Sequence, residues 1–159
     1  MGWNLTSLAN SELQVCRDRL NLFEEEVFED GYFCKLQGVT EGKSEYLTDS
    51  ICIGSYVDFT GIRKYAGLRF NQDKSGGILI LVSEKGSRGS DDLLLDEGRF
   101  LISNVKKDLG TTGKTFKREM DLDRKNLTLT NTNYTRKGSI FKRWETSFSG
   151  DYNCRSLEN

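Results

Sequence analysis

TFKREMDLDRKNLTLTNTNY, residues 115–134, is predicted to form two β-strands joined by a tight turn. The side chains of its two halves alternate with a period of two, which is the spacing of a strand. The intervening DRKN contains Asp and Asn, which are common in turns. Parallel strands need a long crossover, so this short connection favours antiparallel pairing.

The same period continues along most of the chain, from Gly31 onward. Segments such as YFCKLQ, ICIGSYVDF, GGILILV, RFLISNV and SIFKRWETSF are separated by connections that contain Gly, Asn or Asp. We therefore predict an antiparallel β-meander of about eight strands over residues 31–155, curved into a barrel or half-barrel. Together with one N-terminal helix this gives an α+β fold. We expect residues 1–159 to form one domain, with tails at 1–10 and 156–159.

Residues 11–28 are predicted to form that helix. Apolar residues recur there at steps of three and four: Leu13, Cys16, Leu20, Phe23 and Val27. Ser11 and Gln14 have the spacing of a capping box at the helix start, and Asp30-Gly31 is a suitable helix end. The apolar stripe is expected to pack on the sheet.

The C-terminal segment SIFKRWETSF is predicted to be a core strand. Its alternation places Ile140, Trp144 and Phe148 on one face, so Trp144 and Phe148 are expected to be buried. Gly150 is expected to turn the chain, and Tyr152 to pack against the sheet shortly before the end.

The composition disfavours several kinds of active site. The chain contains no histidine, which removes the commonest general base, the Ser-His and Cys-His nucleophile pairs and the usual zinc ligand. No cofactor motif and no metal-ligand spacing is recognisable. We therefore expect a non-enzymatic protein with no cofactor and no metal.

The apolar segments are short. The longest, GGILILV, is far below the roughly 20 residues of a membrane-spanning helix, and MGWNLTSLAN does not resemble a signal peptide. We expect a cytoplasmic protein without a transmembrane segment. The alternative is a secreted or periplasmic protein from which a signal peptide has been removed.

The four cysteines, Cys16, Cys34, Cys52 and Cys154, form no CxxC pair and no zinc spacing. In the absence of an export signal we expect all four to be reduced thiols. The alternative is a disulfide from Cys154 to either Cys52 or Cys34, which would hold the last strand in place.

Charge is divided unequally along the chain. Residues 1–100 carry 11 Lys and Arg against 17 Asp and Glu, whereas residues 101–159 carry 12 against 7. Such polarity favours a protein partner of matching charge. The acidic candidates for partner binding are Glu24, Glu25, Glu26, Glu29 and Asp30. The basic candidates are Lys117, Arg118, Arg136, Lys137, Lys142 and Arg143.

The leading functional hypothesis is a protein-binding module of the inhibitor, immunity or accessory type. The first alternative is a small barrel that encloses an apolar small molecule. The second is a binder of single-stranded nucleic acid, because basic and aromatic residues alternate in the C-terminal strands. The sequence pI of about 5.6 disfavours nucleic acid.

Overall fold

One short helix and nine antiparallel strands form a nearly closed, barrel-shaped sheet, which confirms the predicted fold class. The computed structural model describes four stretches of the chain: residues 5–83, 92–107, 113–138 and 143–157. The elements are α1 Leu5–Arg19, β1 Phe28–Glu41, β2 Ser50–Val57, β3 Arg63–Phe70, β4 Ile78–Ser83, β5 Asp92–Leu95, β6 Arg99–Lys107, β7 Lys114–Asp123, β8 Thr128–Lys137 and β9 Glu145–Leu157. A short 3₁₀ turn, Ser44–Tyr46, lies between β1 and β2.

The first strand of the barrel pairs with the last. The order of strands is β4-β3-β2-β1-β9-β8-β7-β6-β5, so the two edge strands, β4 and β5, are consecutive along the chain. The pairing of β1 with β9 joins the two halves of the meander.

The segment 115–134 forms the hairpin of β7 and β8. Asp123 pairs with Thr128 at the end of the hairpin, and Leu127 adopts a φ of 57° in the turn. The Asp123 carboxylate accepts the backbone N–H groups of Lys125 and Asn126, both at 3.0 Å. These hydrogen bonds lower the pKa of Asp123, so the charged carboxylate stabilises the turn.

The sheet buries apolar side chains on both of its faces. Inside the barrel lie Tyr32, Cys34, Ile51, Ile53, Ile80, Val82, Phe100, Ile102, Met120, Leu122, Leu129 and Tyr152. Outside, the helix covers a second cluster that contains Cys16, Phe28, Phe33, Cys52, Leu68, Phe70 and Leu157. Because successive strand residues point to opposite faces, β3 places Leu68 and Phe70 under the helix and directs Gly67 and Arg69 into the barrel.

The helix is displaced toward the N-terminus from its predicted position. It ends at Arg19, and Asp30-Gly31 lies within β1. Leu13 and Leu20 pack against the outer cluster as expected, but Phe23 is 60% exposed because it lies beyond the helix end.

Asn21, with a φ of 54°, ends the helix in a Schellman motif. The Leu22 N–H bonds the Arg17 carbonyl and the Asn21 N–H bonds the Asp18 carbonyl, both at 3.1 Å. The Arg17 guanidinium then donates to the carbonyls of Phe23 and Glu26, which fixes the following loop.

The expectation of reduced thiols is wrong. Cys34 is paired with Cys154 and Cys16 with Cys52. Cys34 and Cys154 lie directly opposite each other on β1 and β9, facing the barrel interior. Cys52 lies on the outer face, beneath Cys16 of the helix. Of the two bridges considered for Cys154, the one to Cys34 is therefore present.

The C-terminal strand is longer than expected, and it is less buried at its start. Trp144 precedes β9 and is half-buried, as is Phe148, so neither is the fully buried core residue predicted. Gly150 does not turn the chain but lies within β9. A side chain there would collide with Leu47, so the position favours glycine. Tyr152 is fully buried, as expected.

The predicted tail is wrong at its start, because β9 continues to Leu157, which is 5% exposed. Ile140 lies outside the described residues.

In the described part of the chain, no helix has the length and apolar character required to cross a membrane.

Candidate functional site

Charged residues gather at opposite ends of the barrel. One end, called the basic end here, carries cations where β6 and β8 finish and where β7 and β9 begin: Lys106, Lys107, Lys114, Arg136, Lys137 and Arg143. The other, called the acidic end, lies at the start of β1 and carries the predicted acidic residues. Most of the basic candidates and the acidic candidates therefore lie at opposite ends of the barrel.

Three of the five acidic candidates have partners within the fold. Glu26 is buried, and its carboxylate accepts the Phe23 N–H at 2.9 Å. Glu29 pairs with Arg63 at 2.9 Å. Both carboxylate oxygens of Asp30 accept from Arg124 at 2.8 Å.

Glu24 and Glu25 are exposed on the loop between the helix and β1. Within the described residues their side chains form no hydrogen bond or ion pair, so they remain candidates for contact with a partner.

The basic candidates separate into outward and inward groups. Lys117 faces outward, where it pairs with Glu119 at 3.7 Å and lies over the Tyr134 ring. Arg136 stacks on Trp144, with its guanidinium carbon 4.2 Å from the ring centre. Arg118 faces the barrel interior, because it lies next to outward-facing Lys117 and two residues before inward-facing Met120 on β7.

Lys137 and Arg143 line a cleft of about 460 Å³ at the basic end, together with Lys114, Thr135, Arg136 and Glu145. Lys142 lies outside the described residues. The cleft thus has five cationic or hydroxyl-bearing side chains and one carboxylate.

Arg69 is the least expected residue of this region. It is 3% exposed, and it faces inward because the opposite face of β3 packs under the helix. Its guanidinium carbon lies 5.5 Å from the centre of the Phe148 ring. Nη1 has no hydrogen-bond partner, and within the described ranges Arg69 forms no ion pair.

Burial, followed by repulsion from Arg118, lowers the pKa of Arg69 to about 10. Burial also lowers the pKa of Arg118. Arg69 therefore remains protonated at neutral pH, and the barrel holds a buried cation without a counter-ion among the residues described.

Three asparagines line the interior beside these arginines. Asn104 of β6 lies opposite Arg118 of β7, and Arg118 lies opposite Asn133 of β8. Asn131 is one layer further in and is 0% exposed. Together with Arg69 and Arg118 they give one end of an otherwise apolar interior a polar lining, and Phe148 lies opposite Asn133.

The connection between β1 and β2 covers part of this region. Leu47 packs over Gly150, and the Tyr46 ring lies 5.7 Å from the Phe148 ring. The Tyr152 hydroxyl donates to the Thr48 carbonyl at 2.7 Å, and burial raises the pKa of Tyr152. This hydroxyl therefore anchors the connection to the inner wall of the barrel.

A second cleft, of about 540 Å³, lies on the outer face and is chemically different. Its Arg99 pairs with Asp121 at 2.6 Å, and its Asp123 accepts the turn hydrogen bonds described above. Three of its four charged lining residues, all but Lys125, thus already have partners, so the interior of the basic end is the stronger candidate.

The sequence predicted Arg118 and the basic rim but missed Arg69, Asn104, Asn131 and Asn133. The inward direction of the three asparagines could be predicted from the alternation of residues along their strands. Asn131 and Asn133 follow Leu129 at steps of two, and Asn104 follows Ile102, so polar residues occupy inward positions at one end of each strand.

The chain was compared with protein-family models, curated proteins and solved structures, and none of them matches it.

Proposed function

We propose that the protein is a non-enzymatic binding protein that holds a small anionic molecule at the basic end of the barrel. One observation carries this proposal: Arg69 is buried, charged and, among the described residues, without an ion-pair partner. A carboxylate or phosphate is the complement of a guanidinium, since two parallel N–H···O bonds fit its geometry.

The rim supports the same class of ligand. Lys114, Lys137 and Arg143 line the cleft at this end. A predominantly cationic cleft raises the local concentration of anionic ligands. Glu145 is the one carboxylate among its described lining residues, so the cationic groups outnumber it.

An apolar ligand has less support. The apolar part of the barrel interior is filled by side chains such as Phe100, Met120 and Leu122, each 0% exposed. A methyl group added at Gly67 would lie 2.5 Å from the Met120 sulfur. Small barrels have interiors just wide enough for side chains or for one small ligand.

Ligand binding is tested by titration calorimetry at low salt with lactate, propionate, mandelate, phenylacetate, glycerol 3-phosphate and propyl phosphate. We expect wild type to bind at least one of them, and Arg69→Met to lose that binding. Lys117→Met is the matched control, because it removes one outward cation and should bind as wild type does. Absence of binding by wild type, or equal binding by Arg69→Met, would refute the proposal.

Protein docking at the acidic end is a second candidate function. Phe23 and Phe59 are 60% and 82% exposed, and their rings meet edge to face at 6.3 Å. Exposed Glu24 and Glu25 directly follow Phe23 in the chain. Large exposed apolar groups rimmed by charge are typical of interaction sites. This surface suits a protein that presents an apolar side chain among lysines or arginines.

Capture from an extract of the native organism tests this second function. A protein that wild type binds at low salt should not be bound by Phe59→Ser, because the variant lacks the exposed apolar ring. Added salt should release it from wild type, because salt screens the attraction between charges. Tyr46→Ser, which alters an exposed aromatic residue at the basic end, should retain it. If both variants capture the same proteins as wild type, this surface is not the docking site.

We also propose that the chain folds in an oxidising compartment rather than in the cytoplasm. The support is the pair of disulfides, since such bonds are rare where glutathione and thioredoxin keep thiols reduced.

A further inference from the structure

Arg69 is not the only buried polar group at the basic end that lacks a partner. The Asn104 and Asn131 Oδ1 atoms have no hydrogen-bond partner within the described residues. The Asn131 NH₂ group lies beside the Tyr152 hydroxyl, where it favours the charged form of Tyr152. Asn104 is 4% and Asn131 0% exposed.

These groups lie in two adjacent layers of the barrel. Asn104, Arg118 and Asn133 occupy neighbouring positions on β6, β7 and β8, and Phe148 follows on β9. The next layer contains Met120, Asn131 and Gly150.

The Arg69 guanidinium lies against the Phe148 ring and therefore close to the first layer. An anion held by Arg69 would thus have amide groups around it.

The inventory of unpartnered atoms is mixed. Arg69 Nη1 is a donor, whereas the Asn104 and Asn131 oxygens are acceptors. Acetate or sulfate, which at neutral pH only accept hydrogen bonds, would satisfy the donor and leave the acceptors unpaired. Buried polar groups are almost always hydrogen-bonded in folded proteins.

We propose that the ligand is an oxyanion that also carries a hydroxyl or amine donor, such as a hydroxy acid or a hydroxylated phosphate ester. This inference rests on the proposed function, because it assigns the anionic group to Arg69. The donor of the ligand is assigned to the oxygens of Asn104 and Asn131. The site would then discriminate against an anion of equal size and charge that lacks the donor.

The six anions above form three matched pairs that differ by hydroxylation: lactate and propionate, mandelate and phenylacetate, glycerol 3-phosphate and propyl phosphate. We expect wild type to bind the hydroxylated member of at least one pair about tenfold more tightly, as a lost buried hydrogen bond predicts. A preference within the carboxylate pairs or only within the phosphate pair identifies which oxyanion the site takes.

Asn131→Leu and Asn104→Leu should each reduce this preference while anion binding persists, because Arg69 is retained. Asn153→Leu, on the outer face of β9, is the matched control and should keep the preference. Circular dichroism spectra and thermal melts establish that each variant is folded.

The outcomes separate the two proposals. If the members of every pair bind wild type equally, the donor requirement is wrong and anion binding stands. If the preference survives in both asparagine variants, the assignment to these amides is wrong. If wild type binds none of the six anions, the donor requirement falls together with the proposed function.

Discussion

Loss of the Cys34–Cys154 disulfide is expected to destabilise the protein by about 5 kcal/mol, the largest effect of any change considered for this chain. The bond closes a loop with a sequence separation of 120, so it removes much of the conformational freedom of the unfolded chain. It also joins β1 to β9, the two strands that connect the halves of the sheet. At this chain length, the melting temperature should fall by about 10–20 °C.

Urea denaturation of two double variants measures this effect. Cys34→Ala/Cys154→Ala should lose about 5 kcal/mol, and Cys16→Ala/Cys52→Ala about 4 kcal/mol, because the second loop has a sequence separation of only 36. Alanine is the suitable replacement since three of these four positions are fully buried and serine would introduce an unpaired hydroxyl. The second pair is the internal control for loop length.

Alkylation of the unfolded protein checks the pairing directly. Without reductant, iodoacetamide should label none of the four cysteines, and after reduction it should label all of them. Four labels without reductant, or a melting temperature unaffected by reductant, would contradict both the disulfides and the proposed oxidising compartment.

The disulfides could not be predicted from the sequence because pairing depends on register. A shift of one residue between β1 and β9 would direct Cys154 to the outer face, away from Cys34. The strands themselves were predictable, since alternation and turn residues such as Asp123 are local signals. Registers, bulges and the pairing of the first strand with the last depend on contacts between residues distant in the sequence.

Arg69 was missed for a different physical reason. In β3 the apolar residues Ala66, Leu68 and Phe70 share a face, and such a face would ordinarily be assigned to the barrel interior. Here that face packs under the helix, so the polar face with Arg69 points into the barrel. Alternation identifies two faces, but when both are buried it does not indicate which one is inside.

The helix end illustrates a third limit. Phe23 and Val27 continue the helical spacing of Leu13, Cys16 and Leu20 by coincidence, since they lie in a loop whose carbonyls Arg17 binds. Asn at the left-handed position is a weaker stop signal than Gly, so the stop at Asn21 was not recognised.

Arg69→Met is expected to make the ligand-free protein more stable, by roughly 3 kcal/mol. The magnitude follows from the lowering of the Arg69 pKa to about 10 by burial, since each pKa unit corresponds to about 1.4 kcal/mol. Methionine is close in length and fills irregular spaces, so the substitution removes the charge without a large cavity.

The sign of the pH dependence follows from the same shift. The folded protein releases the Arg69 proton more readily than the unfolded chain does, so the penalty is fully present below about pH 10 and is relieved only as the pH rises above that value. The gain from Arg69→Met should therefore be constant between pH 6 and pH 8, a range chosen for the assay. Urea denaturation at both pH values measures it.

Two further variants test whether the increase in stability of Arg69→Met comes from removal of the buried charge. Arg69→Lys keeps a buried cation and should give no such gain, whereas Lys117→Met removes an outward cation and should change stability by no more than about 0.5 kcal/mol. A destabilised Arg69→Met protein would show that the guanidinium is already compensated, and the case for an anion at this site would fail. If Arg69→Met is instead more stable than wild type and no longer binds the anion, Arg69 contributes to binding at a cost to stability. Such a cost is expected where a binding site holds an unpaired buried charge.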